Sequence, residues 1–87
     1  MRLTGRKSFI TGAAKGIGLS VARAFAAEGA AVALADISEE ESKKQSLEIK
    51  ETYGVDAIGV KCDVGDTISV QNAIKETSEA FNGLDTI

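Results

Sequence analysis

Proline and histidine are absent from this 87-residue chain, and cysteine and tyrosine occur once each. Each shortage excludes something. A single cysteine, Cys62, cannot close a disulfide within the chain, so a reducing, cytoplasmic setting is expected. With no histidine, one thiol and carboxylates spread along helix faces, no metal site is expected. The formal charge is −3, from 13 acidic and 10 basic residues, so a basic face for nucleic acid is not expected either. No apolar run is long enough to span a membrane. Met1 to Lys7 carry charges with no long apolar stretch behind them, which is not the pattern of a signal peptide. Arg2, Arg6 and Lys7 read as solvated charges at a strand edge.

What is present is 44% hydrophobic and 26% charged, enough for one small core in one globular unit. Short apolar runs alternate with longer helical patterns in the order β-α-β-α-β-α-β, which predicts a parallel sheet. The first strand is expected at about 7–11. A helix follows over 16–28 and stops at Gly29, a suitable C-cap. The second strand, Ala31 to Asp36, is apolar on both faces, as a strand between two helix layers should be. Ser38 opens the next helix, and Glu41 completes the form of a capping box. Glu39–Lys43 and Glu40–Lys44 are favourable i,i+4 pairs. This helix runs to about Tyr53, ends at Gly54, and carries a narrow stripe of Leu47, Ile49 and Tyr53, its charges forming a solvated face. The third strand is expected over 57–63, with Cys62 as a small buried hydrophobe. Asp66 caps a third helix with the stripe Val70, Ala73, Ile74, Thr77 and Phe81, which ends at Asn82 and Gly83. Leu84 to Ile87 begins a fourth strand.

The organising stretch is Thr11 to Gly18. It joins the apolar strand Ser8 to Ile10 to a helix on which Ile17, Val21, Ala24 and Phe25 form an apolar set read as one face. Its glycines follow the spacing G-x-x-x-G-x-G, which is neither G-x-G-x-x-G nor a P-loop. Gly12 allows a sharp turn out of the strand. Gly16 bares the backbone to a pyrophosphate, and Gly18 lets the helix pack close to the strand. The helix N-terminus adds unpaired N–H groups and partial positive charge.

Ligands of a doubly wound sheet bind beyond the carboxyl ends of its strands, and two acids sit there. Asp36 lies 18 residues after Gly18. A carboxylate there can accept hydrogen bonds from both hydroxyls of an adenosine ribose and would repel a 2′-phosphate. Asp63, followed by Val64, ends the third strand in a turn-rich spot, so a turn role weighs nearly evenly with a ligand role.

Thr11 to Gly18 resembles the cofactor turn of the short-chain dehydrogenase/reductase family, whose pattern is T-G-x-x-x-G-x-G near the N-terminus. The resemblance implies an α/β, Rossmann-like doubly wound parallel sheet, of which only the first half is present. Residues 1–87 would then be a partial NAD(P)-binding domain, its adenosine half. Gly12, Lys15, Gly16, Ile17, Gly18, Asp36, Ile37, Asp63 and Val64 would bind the cofactor. In the family an acid at Asp36 goes with NAD. Lys15 occupies a place where NADP-using relatives often have a basic residue, so NAD is favoured and NADP stays open. Asp63 would take the adenine amine, with Val64 at the ring edge and Ile37 on the other side; for Ile37 and Val64 the alternative is plain core.

The family's catalytic tyrosine is followed by a lysine four residues on, and is joined by a serine and an asparagine. Tyr53 is followed by Ala57 and is assigned no catalytic role. The family's Asn-Asn-Ala-Gly motif would begin just past Ile87. The chain is therefore expected to be the N-terminal part of an NAD(P)-dependent oxidoreductase that moves a hydride between the cofactor and an alcohol/carbonyl substrate, its full-length form a homo-oligomer. The alternative is a non-catalytic module that binds an adenine dinucleotide. No residue that would touch a substrate is in view.

Overall fold

The computed structural model describes residues 5–83. They form β1 (Lys7–Thr11), α1 (Gly16–Ala27), β2 (Ala31–Asp36), α2 (Glu39–Tyr53), β3 (Ala57–Lys61) and α3 (Thr67–Phe81). The expected fourth strand at 84–87 lies outside the described residues. The strands are parallel in the order β1-β2-β3, because a helix between successive strands carries the chain back to the same end of the sheet. Phe9 stands opposite Ala33, and Ala33 opposite Ile58.

β2 is the centre of the core. Val32, Ala33, Leu34 and Ala35 are all 0% exposed, so both faces of the strand are covered, as its unbroken apolar run predicts. Successive side chains point to opposite faces. Ala33 and Ala35 join Phe9, Val60 and Cys62 against Ala73 and Phe81 of α3. Val32 and Leu34 join Ala22 and Ala26 of α1 and Ile49 of α2. The result is a sheet with α3 on one side and α1 and α2 on the other. α3 buries the expected stripe, and Asp66 caps it by accepting the N–H groups of Ile68 and Ser69 at 3.0 and 3.3 Å.

Helix α1 turns a different face to the sheet than the spacing of its large apolar residues suggested. Ile17 is 85% exposed, Val21 and Ala24 also face outward, and only Phe25 of that set is partly buried. The inward residues are Ala22 and Ala26, which continue the line of Gly18 at four-residue steps. A Cβ on Gly18 would collide with the carbonyl oxygen of Gly12 and lie 2.7 Å from its carbonyl carbon. The contact is too close for bulk, so the small residues go in and Ile17 and Val21 go out.

The same rule corrects the stripe on α2. Ser42, Ser46 and Ile49 are buried, whereas Leu47 is 58% exposed. A Cβ on Gly59 of β3 would overlap Lys43 N and the carbonyl carbon of Ser42, 2.6 Å from the Ser42 oxygen. Serines fit where leucine does not. The Ser46 hydroxyl turns back to donate to the Lys43 carbonyl at 2.8 Å; the Ser42 and Ser8 hydroxyls are buried with no partner among the described residues.

The capping box at Ser38 does not form, since the Ser38 side chain makes no cap hydrogen bond. Glu39, Glu40 and Glu41 in the first turn complement the helix dipole instead. Of the two expected i,i+4 pairs, Glu39–Lys43 is formed, at 3.4 Å. β3 ends at Lys61, two residues earlier than expected, although the Cys62 N–H still reaches the Asp36 carbonyl at 2.8 Å. No helix of the described residues is long and apolar enough to cross a membrane.

Candidate functional site

The carboxyl ends of the three strands lie along one edge of the sheet, because the strands are parallel. Three loops emerge there. The first is the glycine turn between β1 and α1. Gly12 and Gly16 have φ of 60° and 64°, and a Cβ at either would meet nothing within 4 Å. Backbone conformation, not crowding, is what calls for glycine at both. At Gly16 this is a second reason beyond the bare backbone that the spacing suggested.

Two N–H groups of the turn are paired, Ala13 with the Ala35 carbonyl at 3.3 Å and Ala14 with Asp36 Oδ2 at 3.2 Å. The N–H groups of Gly16, Ile17 and Gly18 have no partner among the described residues, as expected for a helix start. The first turn of α1 holds no acidic residue, and its N-cap position is Lys15, an exposed cation. Free donors, the positive end of the helix dipole and a lysine therefore meet at one place, an arrangement that can receive an anion.

The second loop begins at Asp36. Its Oδ1 accepts the Ser38 N–H at 3.1 Å while Oδ2 accepts that of Ala14. The carboxylate is thereby held beside the glycine turn. Ile37 follows and is 63% exposed.

The third loop follows β3. Asp63 is held through three atoms: its N–H donates to Ser69 Oγ, its carbonyl accepts the Asp66 N–H, and its Oδ1 accepts the Gly65 N–H, each at 2.9 Å. One carboxylate oxygen thus builds a turn, as the turn reading of Asp63 had it. The other oxygen, Oδ2, and the N–H of Val64 have no partner among the described residues. Val64 is 69% exposed.

A concavity of about 230 Å³ runs between these loops, lined by Gly12, Asp36, Ile37, Cys62, Asp63 and Val64. The fold thus brings together five of the residues singled out from the sequence and sets the start of α1, with Lys15, Gly16, Ile17 and Gly18, beside them. Cys62, assigned to the core, does two things: it packs against the α3 side and also forms part of this wall. Its thiol pKa is pushed up, first by burial and then by the negative charges of Asp63 and Asp36. Ser69 was missed by the sequence reading; its one signal is a hydroxyl three residues after the capping Asp66. Tyr53, at the end of α2, is partly buried against the core on the α1 and α2 side of the sheet and does not line the concavity. Among the described residues no group of three or more His, Cys, Asp or Glu could hold a metal ion.

A family model described as enoyl-(acyl carrier protein) reductase matches residues 12–87. The chain belongs to the short-chain dehydrogenase/reductase family. Among the members of that family, 2,5-dichloro-2,5-cyclohexadiene-1,4-diol dehydrogenase LinX of Sphingobium indicum is 44% identical over 86 residues, covering 99% of this chain and 34% of the relative. Galactitol 2-dehydrogenase of Agrobacterium fabrum is 42% identical over 87 residues, 100% of this chain and 32% of the relative. The crystal structure of the NADPH-dependent 3-quinuclidinone reductase of Rhodotorula rubra superposes with a TM-score of 0.91 at 33% identity, over 97% of this chain and 32% of that one. This short-chain dehydrogenase/reductase chain spans about a third of the length of the curated relatives it matches.

Proposed function

We propose that residues 1–87 are the adenosine-binding part of an NAD(P)-dependent oxidoreductase that transfers a hydride between its nicotinamide cofactor and an alcohol/carbonyl substrate. One observation carries this reading: a carboxylate, an apolar-walled concavity and the unpaired N-terminus of a helix adjoin at the same end of a parallel sheet. The residues fit an adenosine diphosphate group. The N–H groups of Gly16, Ile17 and Gly18 donate to the pyrophosphate, and Lys15 adds charge. Asp36 accepts from the ribose hydroxyls. The adenine enters between Ile37 and Val64, two apolar side chains otherwise left in water. Asp63 Oδ2 accepts from its amine, and the Val64 N–H donates to a ring nitrogen. The nicotinamide supplies the hydride chemistry; the residues here bind and orient the other end of the cofactor. The names of the two curated relatives, dehydrogenases of a diol and of galactitol, support the alcohol/carbonyl class.

NAD is favoured over NADP. A carboxylate held facing a phosphate is directly unfavourable, and the Asp36 carboxylate is fixed by two backbone N–H groups. Lys15 is exposed and flexible, so its attraction is screened by solvent and weak. The test is the ratio of NAD to NADP affinities in the wild-type protein and in Asp36→Ala. A strong preference for NAD that falls toward parity in the variant supports the reading. An unchanged ratio removes Asp36 from the role, and binding of neither nucleotide by folded protein overturns the cofactor site.

A second reading is a dinucleotide-binding module without catalysis. The intact mass of the native protein separates the two. A mass well above that of 87 residues, with hydride transfer, supports the dehydrogenase; a mass equal to it supports the module.

A further inference from the structure

We propose that Ser69 is a positioning residue for nucleobase recognition: its hydroxyl accepts the Asp63 N–H and so sets the direction of the Asp63 carboxylate and the Val64 N–H. This rests on the adenine site proposed above. Asp63 and Val64 lie beyond the sheet, since β3 ends at Lys61 and, among the described residues, the last bond tying the segment to a neighbouring strand is that of the Cys62 N–H to the Asp36 carbonyl. Past that point the chain is held by its own turn and by α3. The bonds from Gly65 and Asp66 to Asp63 join neighbours within the turn and move with it. The Asp66 side chain fastens the downstream end of the turn to α3. Among the described residues, the Ser69 hydroxyl, at 2.9 Å from the Asp63 nitrogen, is the group of α3 that fastens the upstream end. α3 is itself seated on the sheet through Ala73, Thr77 and Phe81, so Ser69 transmits the position of the sheet to the two groups that face the base.

The bond lies at an exposed position, where water can replace the serine as acceptor. Its loss therefore costs little stability and chiefly frees the orientation of Asp63 and Val64. The effect belongs in discrimination between bases rather than in folding. A hypoxanthine ring replaces the amine donor of adenine with a carbonyl and the acceptor at its ring nitrogen with an N–H, so it mismatches both Asp63 Oδ2 and the Val64 N–H.

The experiment measures, by titration calorimetry on the full chain, the affinity for NAD and for its hypoxanthine analogue in wild type, S69T, S69V and S69A. Threonine keeps the hydroxyl, and valine keeps the shape of threonine without it. The preference for NAD is expected to hold in S69T and to fall about three- to tenfold in S69V and S69A, the loss of one hydrogen bond. Amide exchange at Asp63 is expected to speed up in S69V alone of the matched pair. Equal preference in S69T and S69V, or equal weakening of both nucleotides, overturns the role of Ser69. A wild-type protein that binds both nucleotides equally overturns the adenine site itself, a failure visible before any variant is made. Should S69A not fold, the threonine–valine pair decides.

Discussion

The carboxylate of Asp36, at the end of β2, accepts a hydrogen bond at 3.2 Å from the backbone N–H of Ala14, in the glycine turn after β1. Its other oxygen accepts the Ser38 N–H at 3.1 Å. One acid therefore ties together the two loops on either side of the concavity, before any ribose is considered. Asp36→Ala leaves both N–H groups to water, while Asp36→Asn retains one acceptor oxygen. Amide exchange at Ala14 and Ser38 should accelerate strongly in the alanine variant, and at one of the two positions in the asparagine variant. The stability cost should be about 1–3 kcal/mol, the range for bonds to a charged group, read from urea unfolding. Unchanged exchange at Ala14 would remove the tie.

Gly16 and Gly18 should respond differently to alanine. At Gly16 the new methyl group has open space but a φ of 64°, a strain of about 1–2 kcal/mol. At Gly18 it lands on the carbonyl of Gly12, so the helix must back away from β1, at about 1–3 kcal/mol for overpacking. Gly18→Ala should thus also shift the backbone signals of Gly12 and Ala13. Gly16→Ala should leave Ala22 and Ala26 as well protected as in wild type. Chemical-shift mapping and amide exchange check both.

The two helix starts offer a matched contrast. Asp66→Ala removes a side chain that accepts two N–H groups and should lower stability by about 1 kcal/mol. Ser38→Ala removes a side chain that makes no cap bond and should change stability by less than about 0.5 kcal/mol, as for other exposed sites. Equal losses in urea melts would show that Ser38 caps α2 after all.

Cys62 sets a pH dependence. Burial, then the charges of Asp63 and Asp36, hold its thiol pKa above the ordinary value. The neutral thiol is the form that the fold accepts. Its contribution to stability is therefore intact below about 8.5, the ordinary thiol value, and is lost as pH rises through the higher value in the folded protein. Alkylation by iodoacetamide at pH 8 should be slower than for free cysteine, because the thiolate is the nucleophile. Asp63→Asn removes the second cause and leaves burial and the Asp36 charge, so it should quicken the reaction only modestly.

Local patterns in the chain determined the order of the described elements, the parallel sheet, the caps at Asp66 and Gly54, and the placing of Asp36 at the end of β2 and of Asp63 just past the end of β3. Each of these depends on residues a few positions apart, whose chemistry acts whatever the rest of the molecule does. Two outcomes depended on distance between segments far apart in sequence. Hydrophobic spacing alone picks Ile17, Val21 and Leu47 to face inward. The close approach of Gly18 to Gly12, and of Gly59 to Ser42, picks Ala22, Ala26, Ser42 and Ser46 instead, because at such separations volume decides before hydrophobicity does. The bond from Ala14 to Asp36, 22 residues apart, is of the same kind; that from Asp63 to Ser69 spans six residues and depends on how the turn meets α3. The sequence placed the acids; only the packed sheet and helices decided which backbone groups hold them, and which carboxylate oxygen stays free.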